Sequence, residues 1–473
     1  MGGSSRAPAF SAVANACGIR RASGACLAAA SLAALLFVTP PALAYESIAS
    51  ALATSYMGNP TLNAERARQR ATDEGVPQAL SGWRPTVSVN GDVGVAWNDS
   101  SITNPSRTTP AGVAVTLTQP VFRGFRTVSA TAQAEALVSA GRQDLLSVEQ
   151  QVLLDAATAY MNVIRDRNVL ALRAKNVEVL KEQLRASQTR FEVGEITRTD
   201  VAQSRASLAQ AQSNYAAAEA NLAASVANFL RIIGHAPGTL RFPEISSLVP
   251  KTLERALALS EQINPTILAA AFNEEAARHN IDLIKGSLLP EVSFNAQYSY
   301  NHEPSENIDW SDQATVFGQV QIPLYEGGLI YSQVRQAKQI DSQRRIEVID
   351  VRRQVREQVT QTWNNLKAAE SVIASSKIQV EANRLALEGV RQEALVGSRT
   401  TLDVLDAEQV YVDSQVLLAT AERDRIVSAY QVIAATGHMT ARTLNLDVRY
   451  YDVRQNYLDV RYKWIGTRAN TVD

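Results

Sequence analysis

The chain is poor in cysteine, aromatic residues and unbalanced charge. Only two cysteines occur among 473 residues, Cys17 and Cys26, so no disulfide framework and no cysteine metal cluster is expected beyond residue 26. Aromatics make up 6%, and no apolar run outside the N-terminus reaches the length of a membrane-spanning helix. Lysine and arginine nearly balance aspartate and glutamate, for a net charge of −1, which excludes the basic footprint of a nucleic-acid binder. The four histidines, His235, His279, His302 and His438, are scattered without metal-ligand spacing, so surface or packing roles are expected. There is no glycine-rich phosphate loop and no nucleophile motif; we expect no cofactor, no metal and no enzyme.

What the N-terminus has is an export signal. Arg6, Arg20 and Arg21 precede an apolar run from Ala25 to Val38, followed by two prolines and the small-residue site Ala42-Leu43-Ala44. That order predicts cleavage before Tyr45, and the well-formed site argues against one buried helix. Cys26 lacks the preceding apolar residue of a lipid-attachment site, so no lipid anchor is expected. An exported chain without disulfides must be stabilised by packing or assembly.

The rest is written twice. Asn59-Pro60 recurs as Asn264-Pro265, Pro85 as Pro290, Pro120 as Pro323, Gly194 as Gly397, and Gly234-His235 as Gly437-His438. A unit of about 200 residues is too long for a solenoid repeat, so this is a duplicated domain. We place the first structural repeat at 45–234 and the second at 235–440, with a C-terminal extension over 441–473.

Within each repeat the apolar period switches. Val87, Val89, Val93, Val95 and Trp97 alternate with polar or small residues, and so do Val113, Val115 and Leu117. The second repeat does the same at Val292, Phe294, Ala296, Tyr298 and Tyr300, then at Ala314, Val316, Val320 and Ile322. A period of two predicts strands near 86–97, 112–120, 291–301 and 314–323, each with one apolar face. The segments 98–110 and 301–313 are polar and rich in turn residues, which predicts exposed loops. Beyond each strand pair the period becomes seven: Val163, Leu170, Val177, Leu184 and Phe191 in one repeat, Leu366, Ile373, Val380, Leu387 and Ala394 in the other. Returning arms carry Val201, Leu208, Tyr215, Leu222 and Phe229, then Val404, Tyr411 and Leu418, with Arg425 interrupting before Val432. Heptads of this length predict coiled-coil hairpins over about 127–234 and 328–437. Asp166 and Arg173 interrupt the companion stripe, so a plain leucine zipper is excluded.

Four strands cannot close a barrel, and an open sheet in lipid would leave its edges unpaired. Either several chains share one barrel, or the strands form a soluble sandwich layer on a coiled-coil scaffold. Strands of about ten residues suit an outer membrane, with Trp97, Phe122, Tyr300, Phe317 and Tyr325 near the interfaces.

The motifs "VGSRTTLDVLDAE" (Val396 to Glu408) and "FEVGEITRTDV" (Phe191 to Val201) resemble the two helical turns of the TolC family of outer-membrane channel-tunnels. "IPLYEGG" (Ile322 to Gly328) and "QPVFRGF" (Gln119 to Phe125) resemble its strand-to-helix junctions. The resemblance covers essentially the whole chain after the export signal. It implies a mainly α fold with a membrane β-barrel: a homotrimer whose twelve strands close a barrel and whose helices continue it as a periplasmic tunnel. Residues near 45–80, 235–285 and 440–473 would form a belt around the middle. The tail, which repeats Asp-Val-Arg-Tyr at 447 and 459, resembles the extension of secretion-type members; an ordinary β-rich edge fits it equally.

The resemblance also assigns a site. Read locally, Asp200 and Asp403 are first-turn carboxylates favoured by unpaired amides and the helix dipole, and Gly194 and Gly397 are left-handed C-caps. Asp406, three residues after Asp403 on one helix face, has Gln203 as its counterpart, so the fold does not require it. The family uses these two positions as a selectivity gate at its periplasmic entrance, and rings of carboxylates select cations. Crowding there would raise some of their pKa values. Thr199 and Asp200, with Arg399, match its entrance-closing contacts, and the turns at Gly194 and Gly397 would meet an adaptor. Ala394 and Glu422 depart from the family's tyrosine and arginine, so the latch is built differently here, with Arg423 or Arg425 as candidates. The implied function is a passive exit duct in the cell outer membrane, extending into the periplasm. Its partners would be outer-membrane lipid, a periplasmic adaptor protein and an inner-membrane ABC or proton-driven pump. The cargo would be an exported protein by type I secretion or, alternatively, small molecules by multidrug efflux. A periplasmic coiled-coil scaffold without a pore is the competing class.

Overall fold

Two asparagine-proline steps organise the fold, because each begins a helix whose cap reaches across the molecule. A computed structural model describes residues 45–99, 101–102, 105–244 and 247–469; the expected export signal lies outside them. Helix α1 (Ile48–Gly58) ends at Asn59, and α2 (Pro60–Asp73) starts on it. Proline suits this first position because its missing N–H would have been unpaired anyway. Asn59 Oδ1 accepts the Thr61 amide at 2.9 Å, and its Nδ2 donates to the Ile232 carbonyl at 2.9 Å. That carbonyl belongs to the last turn of α5 (Arg198–Ile233), where the helix supplies no partner. In the second repeat α6 (Leu253–Ile263) and α7 (Pro265–Lys285) meet at Asn264. Asn264 Oδ1 accepts Thr266 N at 2.9 Å, and Nδ2 donates to Ala435 O at 3.0 Å, closing α9 (Thr401–Ala435). Both asparagines are buried. Asn264→Ala removes a cap and leaves a part-buried carbonyl without its partner, so we expect a loss of about 1–2 kcal/mol. A lowered thermal midpoint of the purified protein checks this.

The tandem repeat is explicit in the long helices. α4 (Arg126–Glu192) and α8 (Leu329–Leu395) each run 67 residues, and α5 and α9 return over 36 and 35. At 1.5 Å per residue a 67-residue helix spans about 100 Å. Along their tip-proximal parts, α4 pairs with α5 and α8 with α9. Toward the strands, α7 lies against α4 and α8, while α2 and α3 (Gly75–Leu80) flank α4. The expected belt is therefore smaller than the resemblance implied. α7 starts at the end of α9 but finishes at the base of the sheet, where Gly286 packs on Gly124, so it continues the tunnel wall. The tail climbs as well. Tyr451 N donates to Tyr56 Oη, Asn456 Nδ2 to Asp73 Oδ2, and Tyr457 Oη to Glu135. It forms turns and a short helix α10 (Gln455–Arg461), not the alternative β edge. Burial pushes the Asp73 carboxyl above its ordinary value, against the Asn456 and Gln69 amides that donate to it.

Strands β1 (Thr86–Val93), β4 (Ala111–Arg123), β5 (Glu291–Ser305) and β6 (Ile308–Gln321) form one antiparallel sheet in the order β1-β4-β5-β6. Register aligns the apolar sets: Val87 with Leu117, Val89 with Val115, Val115 with Tyr298, and Ala296 with Val316. Gly318 lies opposite Phe294. The other face carries Ser88, Asn90, Thr116, Gln297, Ser299, Thr315 and Gln319, as alternation predicts. Both edges, β1 and β6, have no strand partner among the described residues.

Strand ends depart from expectation in three places. β1 stops at Val93, and 96–98 turns into a separate ribbon, β2 (Ala96–Asn98) with β3 (Ser106–Thr108). Opposite the break, Pro110 has no N–H for the ladder and its carbonyl accepts Gly94 N. The expected loop over 301–313 is mostly strand: β5 and β6 extend until they turn at Glu306 and Asn307. A bulge between His302 and Ser305, with Glu303 at φ 44°, absorbs Pro304. β4 similarly continues past Pro120 through a register shift before Phe122.

The main core lies where α1, α4, α5 and α9 cross, around Tyr160, Leu153, Phe229 and Ile433. Tyr160 Oη, buried among them, bonds to the carbonyls of Glu46 and Arg241. The interrupted heptad stripe has a structural reason. Asp166 is buried, pairs with the partly exposed Arg165 and accepts from Ser225 Oγ, and Arg173 reaches Asp413 at 2.9 Å, joining the two hairpins.

Candidate functional site at the helical turns

Each long helix reverses through the same backbone device. Gly194 and Gly397 sit at φ 79° and 78°, the left-handed region that glycine enters without a Cβ clash. Glu195 N donates to Arg190 O at 2.9 Å, and Ser398 N to Glu393 O at 3.0 Å, the long-range bond of a Schellman C-cap. Thr197 and Thr400 then cap the returning helices. Asp200 Oδ2 accepts Thr197 N at 2.8 Å and Oγ1 at 2.7 Å; Asp403 Oδ2 accepts Thr400 N at 2.9 Å and Oγ1 at 2.8 Å. In return each threonine hydroxyl accepts the aspartate amide, completing a capping box. The local reading of both aspartates is thus visible in the geometry.

These bonds favour the charged carboxylates. The Thr400 amide and then its hydroxyl hold Asp403 below its ordinary value; the Thr197 hydroxyl and then its amide do the same for Asp200. A depressed carboxylate stabilises the folded turn above the unfolded value of 3.8, and that contribution is lost as pH falls through the folded one. Asp406 lies one turn further along α9, exposed, with no side-chain hydrogen bond or ion pair among the described residues.

The predicted site residues separate into two groups. Asp200, Arg399 and Gly397 line one cleft of about 990 Å³ between the two turns, together with Thr400, Val179 and Val404. Thr199, Asp403 and Asp406 do not line it. No direct bond joins Asp200 to Arg399; the guanidinium Nε is 2.8 Å from Glu393. Arg423 is not a latch at the turn. It bonds to Asn162 and Asp424, and lies about 33 Å up α9.

Two cross-hairpin pairs carry no signal in the heptad pattern. Ser187 and Ser204, both buried, share a hydrogen bond of 3.0 Å, and Arg391 pairs with the buried Glu408. The partners in each pair are 17 residues apart, so folding each arm back about its glycine turn brings them opposite one another. Above them Leu180, Ala211 and Leu405 pack the two hairpins together.

Comparison with known proteins agrees with this architecture. Residues 53–235 and 256–438 each match the family described as outer membrane efflux protein. Outer membrane efflux protein BepC of Brucella suis biovar 1 is 37% identical, across 94% of this chain and 96% of its own length. Outer membrane protein TolC of Escherichia coli K12 is 26% identical over 82% of this chain and 81% of its own. The crystal structure of the Campylobacter jejuni CmeC outer membrane channel shares the fold, with a TM-score of 0.76 at 14% identity over 88% of this chain and 89% of its own. The chain belongs to the outer membrane efflux protein family, the family of TolC, and resides in the outer membrane.

Proposed function

We propose that three copies of this chain close one barrel and act as the passive exit duct of a tripartite export system. The observation that carries this is an open-edged sheet with an in-register apolar face, standing on two 67-residue helices. Four is an even number, so β6 of one copy can lie antiparallel to β1 of the next. Two copies would give eight strands; three give twelve, enough for a water-filled lumen lined by the polar face. The stem would carry that lumen across the periplasm to a mouth at the turns. There Asp403 and Asp406 form the selective gate, while Thr199, Asp200 and Arg399 make closing contacts between neighbouring copies. The turns at Gly194 and Gly397 meet a periplasmic adaptor. With no nucleotide motif, energy comes from an inner-membrane ABC or proton-driven pump; the duct does no chemistry of its own.

Type I protein secretion is the first reading of the cargo, resting on the tail's resemblance to secretion-type members. Small-molecule efflux is the second; the BepC relative carries the word efflux in its name without naming a cargo. Native mass measurement of the detergent-extracted complex tests the assembly. A mass of three chains is expected, and a soluble oligomer recovered outside the outer membrane would sink the proposal. A deletion strain that exports its proteins normally but becomes drug-sensitive would favour efflux.

The turn geometry adds a pH prediction. Asp403 held low by Thr400 should keep the pore cation-selective down to the ordinary aspartate value of 3.8. Reversal potentials across a salt gradient measure this. Selectivity lost at clearly higher pH would mean that crowding among copies outweighs the cap.

A further inference from the structure

The tail does not end at the belt. Arg84, which directly precedes Pro85 and β1, donates Nη1 to the Lys463 carbonyl at 2.9 Å, and its guanidinium lies 5.0 Å from the Trp464 ring centre. Val87, the first lipid-side residue of β1, is three residues further on, about 10 Å along the strand. Residues 462–465 therefore stand at the periplasmic base of the sheet. Tyr462, Trp464 and Ile465 are exposed there, Ile465 at 91% and Trp464 at 64%.

The distribution of tryptophan says what covers them. The chain has five. Trp363 is buried beside the helical core. Trp97 (71% exposed) and Trp310 (59%) lie at the outer end of the strands, on β2 and opposite His302. Trp83 (38%) and Trp464 lie at the inner end. Every exposed tryptophan thus falls at one of two levels, bracketing the apolar face as interfacial girdles do. Exposed Phe125 and Leu289 lie two residues from the inner ends of β4 and β5, and exposed Tyr325 lies four residues beyond β6. Lys463 and Arg468 bring positive charge to the same level, suited to phosphate headgroups.

We propose that residues 462–468 are an interfacial anchor that inserts Trp464 and Ile465 into the phospholipid headgroup region of the periplasmic leaflet. The apolar face of the sheet continues into this patch, and Arg84 fixes the segment at the required height. The tail is thereby tied to the membrane from outside the barrel and coupled through Asn456 and Tyr457 to α2 and α4.

Single-tryptophan variants of the full chain, reconstituted in phospholipid vesicles brominated near the headgroup, test this. One keeps Trp464, one Trp97 and one Trp363, with phenylalanine at the other four positions. Quenching of Trp464 should match that of Trp97 and exceed that of Trp363 by about twofold or more. Quenched Trp97 with unquenched Trp464 overturns the anchor alone, leaving the segment in water or under a second copy. Unquenched Trp97 overturns the membrane placement of the sheet itself. Should the phenylalanine variants fail to assemble, a spin label on Ile465→Cys, the only cysteine beyond residue 26, gives the same answer. Oxygen should relax it more than a water-soluble nickel chelate does, and the reverse order contradicts the anchor.

Discussion

Asp403→Ala combined with Asp406→Ala is expected to weaken block by multivalent cations on the order of tenfold or more, and to reduce cation selectivity, with the barrel intact. The structure divides the two roles. Asp406 is exposed and its side chain unbonded within the described chain, so Asp406→Asn should alter conduction while leaving assembly and heat resistance unchanged. Asp403 holds the Thr400 amide, so Asp403→Asn should affect both conduction and the stability of the second turn. The first turn is the internal control. Asp200→Asn removes an equivalent capping carboxylate, but Gln203 stands where the second turn has Asp406. Its effect on selectivity should be small. Selectivity and block unchanged in the double variant would place the gate elsewhere without touching the fold.

The second large effect separates the faces of the sheet. Val316 lies on the apolar face opposite Ala296, and Thr315, its neighbour in sequence, on the polar face opposite Gln297. Val316→Lys would put an ammonium into hydrocarbon at a cost of about 2–4 kcal/mol per chain at mid-membrane depth. In a shared barrel every copy carries that cost, so heat-resistant oligomer should be nearly absent from the outer membrane. Thr315→Lys should assemble normally and shift selectivity away from cations. Equal tolerance of both substitutions would mean that the Val316 face does not meet lipid.

Features set by local rules are legible in the amino-acid sequence alone. Alternation marks the strand faces, heptads mark the arms, and a glycine followed by threonine and aspartate marks each turn, because each depends on residues within a few positions. What escapes depends on chain segments far apart in sequence. Asn59 and Asn264 mark the repeat, but nothing local says that their amides close α5 and α9. Arg173 looks like a fault in a heptad until Asp413 arrives from the other repeat. The strand ends do not follow the period of two because Pro110 and Pro304 act through the ladder opposite them. The tail's polar, tyrosine-rich composition gives no hint that Arg84 holds it at the sheet base. At the turns, both capping aspartates are legible, whereas the Arg391–Glu408 and Ser187–Ser204 pairs need the hairpin folded first.

Planar-bilayer recording of the purified protein tests the central claim most directly. A duct closed at an acidic mouth should show a small, stable, cation-selective conductance that multivalent cations block from the turn side only. Absence of any conductance from correctly inserted protein, or an anion-selective pore insensitive to multivalent cations, would contradict it.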